Sequence, residues 1–128
     1  MTSVVFDKKL PLVVVTVSIK TGTNVLYFDF AIDTGASVSL IDMDAMLCMG
    51  YKKTDAVRTI ETVTASKRKT AYEFEMNNIC AIGLIRRNFK VISRSLPVGL
   101  GIDGLLGLNF FKNKELTIDF KSSEIRVR

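Results

Sequence analysis

The stretch Phe28-Asp29-Phe30-Ala31-Ile32-Asp33-Thr34-Gly35-Ala36-Ser37 decides how the rest of the chain is read. Leu26, Phe28, Phe30 and Ile32 fall on one face of an extended segment, opposite Tyr27 and Asp29. That alternation predicts a strand over 25–32 that is buried on one side. It delivers the chain into an acid followed by Thr-Gly and small residues, so a carboxylate sits in a tight loop at the edge of a core. Glycine lets the backbone approach closely there, and the hydroxyls of Thr34 and Ser37 are available for hydrogen bonds. Taken alone, Asp-Thr-Gly is ordinary turn chemistry.

Working outward, residues 13–19 are rich in β-branched side chains, with Val13, Val15, Val17 and Ile19 on one face. The turn residues Lys20-Thr21-Gly22-Thr23-Asn24 join this strand to 25–32 as a hairpin. Beyond the Asp-Thr-Gly loop come an apolar stretch, 38–41, and a short helix, with Asp42 as N-cap and Gly50 as its stop. Met43, Met46 and Met49 recur at helical spacing, as core or dimer packing would have them. Strands are predicted at 57–65 and 70–76 around a polar tip at 66–69, and a further pair at 79–82 and 89–93. Residues 96–108 are apolar and glycine-rich, leading to a short helix at 109–112, and a hairpin of 116–120 with 124–127 ends the sequence. Short strands at regular spacing with little helix predict a small all-β barrel or sandwich. With 128 residues, two prolines and no low-complexity tract, one domain over 1–128 is expected.

Composition narrows the chemistry. There is no histidine, so neither a Ser-His-Asp nor a Cys-His nucleophile system can be assembled, and histidine-ligated metal sites are excluded. Cys48 and Cys80 form no C-x-x-C pair and read as two reduced, buried thiols. No metal or cofactor is expected, which leaves carboxylates, hydroxyls, lysines and the backbone. The net charge of +5 concerns association rather than fold. Lys8-Lys9, Lys52-Lys53, Arg86-Arg87 and Lys67-Arg68-Lys69 are scattered over turns without interleaved aromatics, so they read as solvated faces, and a nucleic-acid partner is not expected. Gly99-Leu100-Gly101-Ile102-Asp103-Gly104 lacks the context of a dinucleotide fingerprint. The start has no basic segment leading into an apolar run, and no stretch is long enough for a membrane helix, so a cytoplasmic protein without a membrane partner is expected.

A second element, Ile102-Asp103-Gly104-Leu105-Leu106-Gly107-Leu108-Asn109-Phe110-Phe111, follows well after Asp33-Thr34-Gly35-Ala36-Ser37. In this order the two resemble the hallmarks of the retroviral-type (retropepsin-like) aspartic proteases. The resemblance spans nearly the whole chain and implies an all-β fold: a small closed acid-protease barrel with one or two short helices, homodimeric. It implies an aspartic endopeptidase acting on a peptide or protein substrate, with Asp33 of each protomer as catalytic acid and no metal. Thr34, Gly35, Ala36 and Ser37 would support it: Thr34 by hydrogen bonds across the dimer, Gly35 by admitting substrate, Ser37 through its hydroxyl. Leu106 and Gly107 would pack beneath the catalytic loop. The flap would be the hairpin over 57–76, with Thr64, Ala65 and Ser66 touching substrate and Lys67-Arg68-Lys69 at its tip. Family flaps carry glycine at the tip, whereas none lies between Tyr51 and Ile82 here. A second reading is therefore an inactive dimer of the same fold, used as a peptide-binding or scaffolding module. Asp103 is the other acid near the motifs, and it reads as a polar loop residue.

Overall fold

The computed structural model describes residues 1–128. The hairpin around the opening stretch is formed by β2 (Val14–Thr21) and β3 (Asn24–Ile32), paired antiparallel with Val15 opposite Phe30 and Val17 opposite Phe28. Past the loop at 33–38, β4 (Ser39–Asp42) leads into α1 (Met43–Cys48), which buries Met43, Ala45 and Met46. Asp42 takes the N-cap position without capping the helix through its side chain. Its Oδ1 instead accepts the Leu96 amide at 2.9 Å and tethers a distant loop. A long hairpin of β5 (Arg58–Val63) and β6 (Arg68–Met76) follows.

The chain continues through β7 (Ile79–Ala81), β8 (Leu84–Arg86), β9 (Phe89–Arg94) and β10 (Gly104–Leu106) to a 3-10 turn at Leu108–Phe111. The expected pairing of 79–82 with 89–93 does not occur. Ile82 and Gly83 both adopt positive φ, 53° and 69°, which closes a two-residue turn and folds β7 back on β8. Strand β9 is thereby released to pair with β6 on one side and β4 on the other.

Nine strands form one sheet in the order β5-β6-β9-β4-β10-β3-β2-β7-β8. The closed barrel expected from sequence is not formed, because β5 and β8 each pair on one side only. The reason lies in β5: none of its residues is buried, so no apolar face draws it round onto β8. A separate three-stranded sheet joins β1 (Thr2–Val5), β12 (Glu124–Val127) and β11 (Leu116–Asp119) in the order β1-β12-β11.

One continuous core lies behind the large sheet. Phe30, Ile41, Phe74, Val91, Leu106 and Phe110 are almost wholly buried, each such side chain contributing about 1.5–3 kcal/mol. The three helix methionines belong to it. Cys48 and Cys80 are free thiols, but they are not both buried: Cys48 is exposed and Cys80 half-buried. Arg86, expected as part of a solvated pair, is bonded inward, with Nε to the Phe110 carbonyl at 2.8 Å and its guanidinium to that of Lys112 at 2.6 Å. It closes the carbonyl end of the 3-10 turn. No helix is long and apolar enough to cross a membrane.

Candidate active site

Asp33 follows β3 directly, and its surroundings are set by how β10 enters the sheet. β10 runs parallel to β3 and antiparallel to β4, inserted between them. Residues 33–38, which connect β3 to β4, must therefore cross the end of β10. Backbone bonds hold them there: the Asp33 amide donates to the Leu106 carbonyl at 2.9 Å, and the Leu108 amide to the Ala36 carbonyl at 2.8 Å. Between these, the Gly107 amide donates to Ser39 Oγ at 3.0 Å. A Cβ on Gly107 would lie 2.8 Å from the Ala36 carbonyl oxygen and closer still to the backbone of Val38. Only glycine fits at that crossing, and Leu106 beside it is fully buried.

Within the loop, Asp33 Oδ1 accepts the Gly35 amide at 3.1 Å, and the Ala36 amide donates to the Asp33 carbonyl at 3.2 Å. A Cβ on Gly35 would stand 3.3 Å from that carboxylate oxygen. Asp33 is half-buried, while Thr34 and Gly35 are exposed on the outer side. The support expected from Ser37 is absent in the protomer: Ser37 is exposed, and the Asp33 carboxylate is held by the Gly35 amide instead. The hydroxyl that matters structurally is two residues on. Ser39 is completely buried, and its Oγ donates to Asn109 Oδ1 at 2.8 Å while accepting from Gly107. Asn109 in turn donates to the Lys90 carbonyl at 3.0 Å. The signal was present in the alternation, because Ser39 shares its parity with inward-facing Ile41.

Asp103 is more than a polar loop residue. Its Oδ2 accepts the Asp29 amide at 2.9 Å, its amide donates to the Asp29 carbonyl at 2.7 Å, and its carbonyl accepts the Asp42 amide at 2.7 Å. It pins β3 and β4 just before β10 enters between them. Asp29 lies four residues before Asp33, about 13 Å along an extended strand, so Asp103 and Asp33 do not form a pair within one chain.

Sequence reasoning overlooked the floor beside Asp33. Ala31, Leu105, Leu40 and Ile92 are successive cross-strand partners on β3, β10, β4 and β9, and the row continues to Glu73 and Arg58 on β6 and β5. They share the face opposite Phe30, Ile41, Val91 and Phe74, and Asp33 falls on that same face two positions after Ala31. Leu40, Ile92 and Leu105 are half-buried and stand outside the core cluster, so an apolar strip runs from the carboxylate towards the long hairpin. Glu73 closes the row in an ion pair with Arg58 at 3.2 Å.

The hairpin tip is tighter than expected. It comprises Thr64, Ala65, Ser66 and Lys67, all exposed, whereas Arg68 and Lys69 lie within β6, paired with Val63 and Thr62. The Thr64 amide donates to the Lys67 carbonyl at 2.8 Å; Thr64 Oγ1 donates to that carbonyl at 3.0 Å and accepts the Lys67 amide at 3.1 Å. A threonine staple thus closes this glycine-free tip. No group of three or more His, Cys, Asp or Glu side chains converges as a metal site would require.

A carboxylate on a clamped loop beside an apolar strip, on this strand order, defines a retropepsin-like acid-protease fold. The aspartyl protease family matches residues 15–110, from β2 to the 3-10 turn, and the chain belongs to that family. Among solved structures, the chain is similar to a retropepsin-like aspartic protease from Rickettsia conorii, with 17% identity over 96% of this chain and 86% of that one and a TM-score of 0.67. It is also similar to the retroviral protease-like domain of Ddi1 from Leishmania major, with 18% identity over 91% and 87% of the two chains and a TM-score of 0.62. Identities this low establish a shared fold. No curated protein matches the sequence.

Proposed function

We propose that the protein is an aspartic endopeptidase working as a homodimer, in which Asp33 of each protomer faces the other across a two-fold axis. The observation that carries this reading is that each chain offers one Asp-Thr-Gly carboxylate, half-buried beside an apolar strip, with Thr34 and Gly35 outward. Asp103 is committed to the Asp29 amide, so the second carboxylate comes from a second copy. Two carboxylates in contact share one proton, because both cannot ionise cheaply. The ionised one takes a proton from the attacking water, and the protonated one donates a hydrogen bond to the scissile carbonyl. Thr34 ties the two loops together across the axis. Thr64, Ala65 and Ser66 cover a peptide lying along Leu105, Leu40 and Ile92.

The test is incubation with a mixed peptide library from about pH 4 to 7, beside Asp33→Asn. Cleavage by the unsubstituted protein alone is expected, with sedimentation showing both forms as dimers. Cleavage that survives Asp33→Asn, or a monomer at every concentration, overturns the reading. The stapled, glycine-free tip favours one alternative, a binding module of the same fold. That reading predicts peptide affinity without cleavage, unchanged by Asp33→Asn.

A further inference from the structure

A charged cavity lies beside the far part of the apolar strip, off the row that Glu73 and Arg58 close. Thr62 and Lys69 are cross-strand partners on the long hairpin, Ala71 lies two residues beyond Lys69, and Arg94 lies two residues beyond Ile92. By alternation all four occupy the face that carries Asp33 and the strip. With Thr70 and Ser95 they line a cavity of about 490 Å³ between the hairpin and the end of β9.

Its two cations have no carboxylate partner. The ion pairs of the molecule engage Arg58, Arg126 and Arg128 only. Glu73, on the same face, is taken by Arg58. Asp42 is the cross-strand partner of Arg94, yet its Oδ1 accepts the Leu96 amide and it makes no ion pair. Glu61 lies beside Thr62 on β5 and so on the opposite face. Two unpaired cations beside the hydroxyl of Thr62, in a cavity that Ser95 also lines, match the needs of one carboxylate: charge-assisted donors flanked by a neutral one.

We infer that this cavity is a subsite for an acidic side chain of the peptide, aspartate or glutamate, flanking the bond placed over Asp33. The inference rests on the peptidase reading above and adds the substrate class to it. Lys69 and Arg94 are specificity-determining residues; they do not touch the reacting atoms.

The experiment compares peptide pairs that differ only in Glu against Gln at each position flanking a cleaved bond. At one position the Glu member is expected to show a kcat/KM about tenfold higher, the scale of a charge-assisted hydrogen bond. In Lys69→Gln/Arg94→Gln that ratio falls to about one, and in Lys69→Glu/Arg94→Glu a Lys-bearing peptide overtakes its Glu counterpart. Equal cleavage of all pairs, or a Glu preference kept by both double variants, overturns the subsite. Because a ratio is read within each protein, partial misfolding of a variant does not imitate the result. A second arm measures binding of the same pairs to Asp33→Asn by fluorescence anisotropy. If no peptide is cleaved, tighter binding of the Glu member supports the subsite while rejecting the peptidase, and equal binding rejects the subsite as well.

Discussion

Ser39 Oγ accepts a hydrogen bond from the buried amide of Gly107 at 3.0 Å and donates its own to Asn109 Oδ1 at 2.8 Å. Through this one hydroxyl, the strand that leaves the Asp33 loop is tied to the segment lying beneath it. Ser39→Ala leaves the Gly107 amide unpaired in a dry site and is expected to cost about 1–3 kcal/mol. Equilibrium urea denaturation checks it, with Ser37→Ala as the contrast: that residue is exposed and bonded to nothing, so its change stays within about 0.5 kcal/mol.

Gly107→Ala tests the crossing itself. The added methyl meets the backbone of Val38 and Ala36, which cannot turn aside as a side chain would. A loss of about 1–3 kcal/mol is expected from overpacking. In a thermal melt the variant unfolds earlier than the parent, and an unchanged midpoint contradicts the close approach.

Thr64→Val keeps the shape of the tip residue but removes the hydroxyl that both donates to and accepts from Lys67. Hydrogen exchange at the Lys67 amide is expected to quicken by about fivefold, the equivalent of one hydrogen bond of roughly 1 kcal/mol. Exchange at the Phe74 amide, deep in β6 against the core, is the internal reference.

Tyr51 supplies a pH dependence. Burial, and secondarily the nearby Asp55 carboxylate, push its phenol above the ordinary value of 10.0. The folded state therefore holds this proton more tightly than the unfolded chain does. The resulting stability is fully present below about pH 10, the unfolded value, and is lost as the pH rises through the folded value. Tyr51→Phe keeps the edge contact with Phe74, at 5.7 Å between ring centroids, and lacks the proton. Denaturation across an alkaline series should show the parent losing stability above pH 10 relative to Tyr51→Phe; parallel curves would contradict the shift.

Local pattern and spatial arrangement divide this protein unevenly. The hairpin into Asp33-Thr34-Gly35 was legible because alternation, turn residues and a strand-ending acid are neighbours in the chain. The absence of histidine was equally plain in the sequence and removed every histidine-dependent mechanism. The two-residue turn at Ile82 was missed, since a β-branched residue at positive φ runs against its own preference and is held there by its surroundings. The tip of the long hairpin was misplaced because a threonine can close a turn with its hydroxyl, and nothing in Thr-Ala-Ser-Lys announces that it does.

The linear order of residues establishes which face of each strand is apolar, where the chain turns and which acid ends a strand, because each depends on φ, ψ and side-chain parity over a few positions. Which strands become neighbours was settled in space. Inserting β10 between β3 and β4 joins residues some 70 positions apart, such as Asp29 with Asp103 (74 apart) and Ser39 with Gly107 (68 apart). The same insertion turns Leu40, Ile92 and Leu105, three unremarked aliphatics, into one continuous floor beside Asp33. Long-range pairing of this kind depends on the summed burial of the core and the satisfaction of every amide at the crossing, and neither is encoded in any single segment.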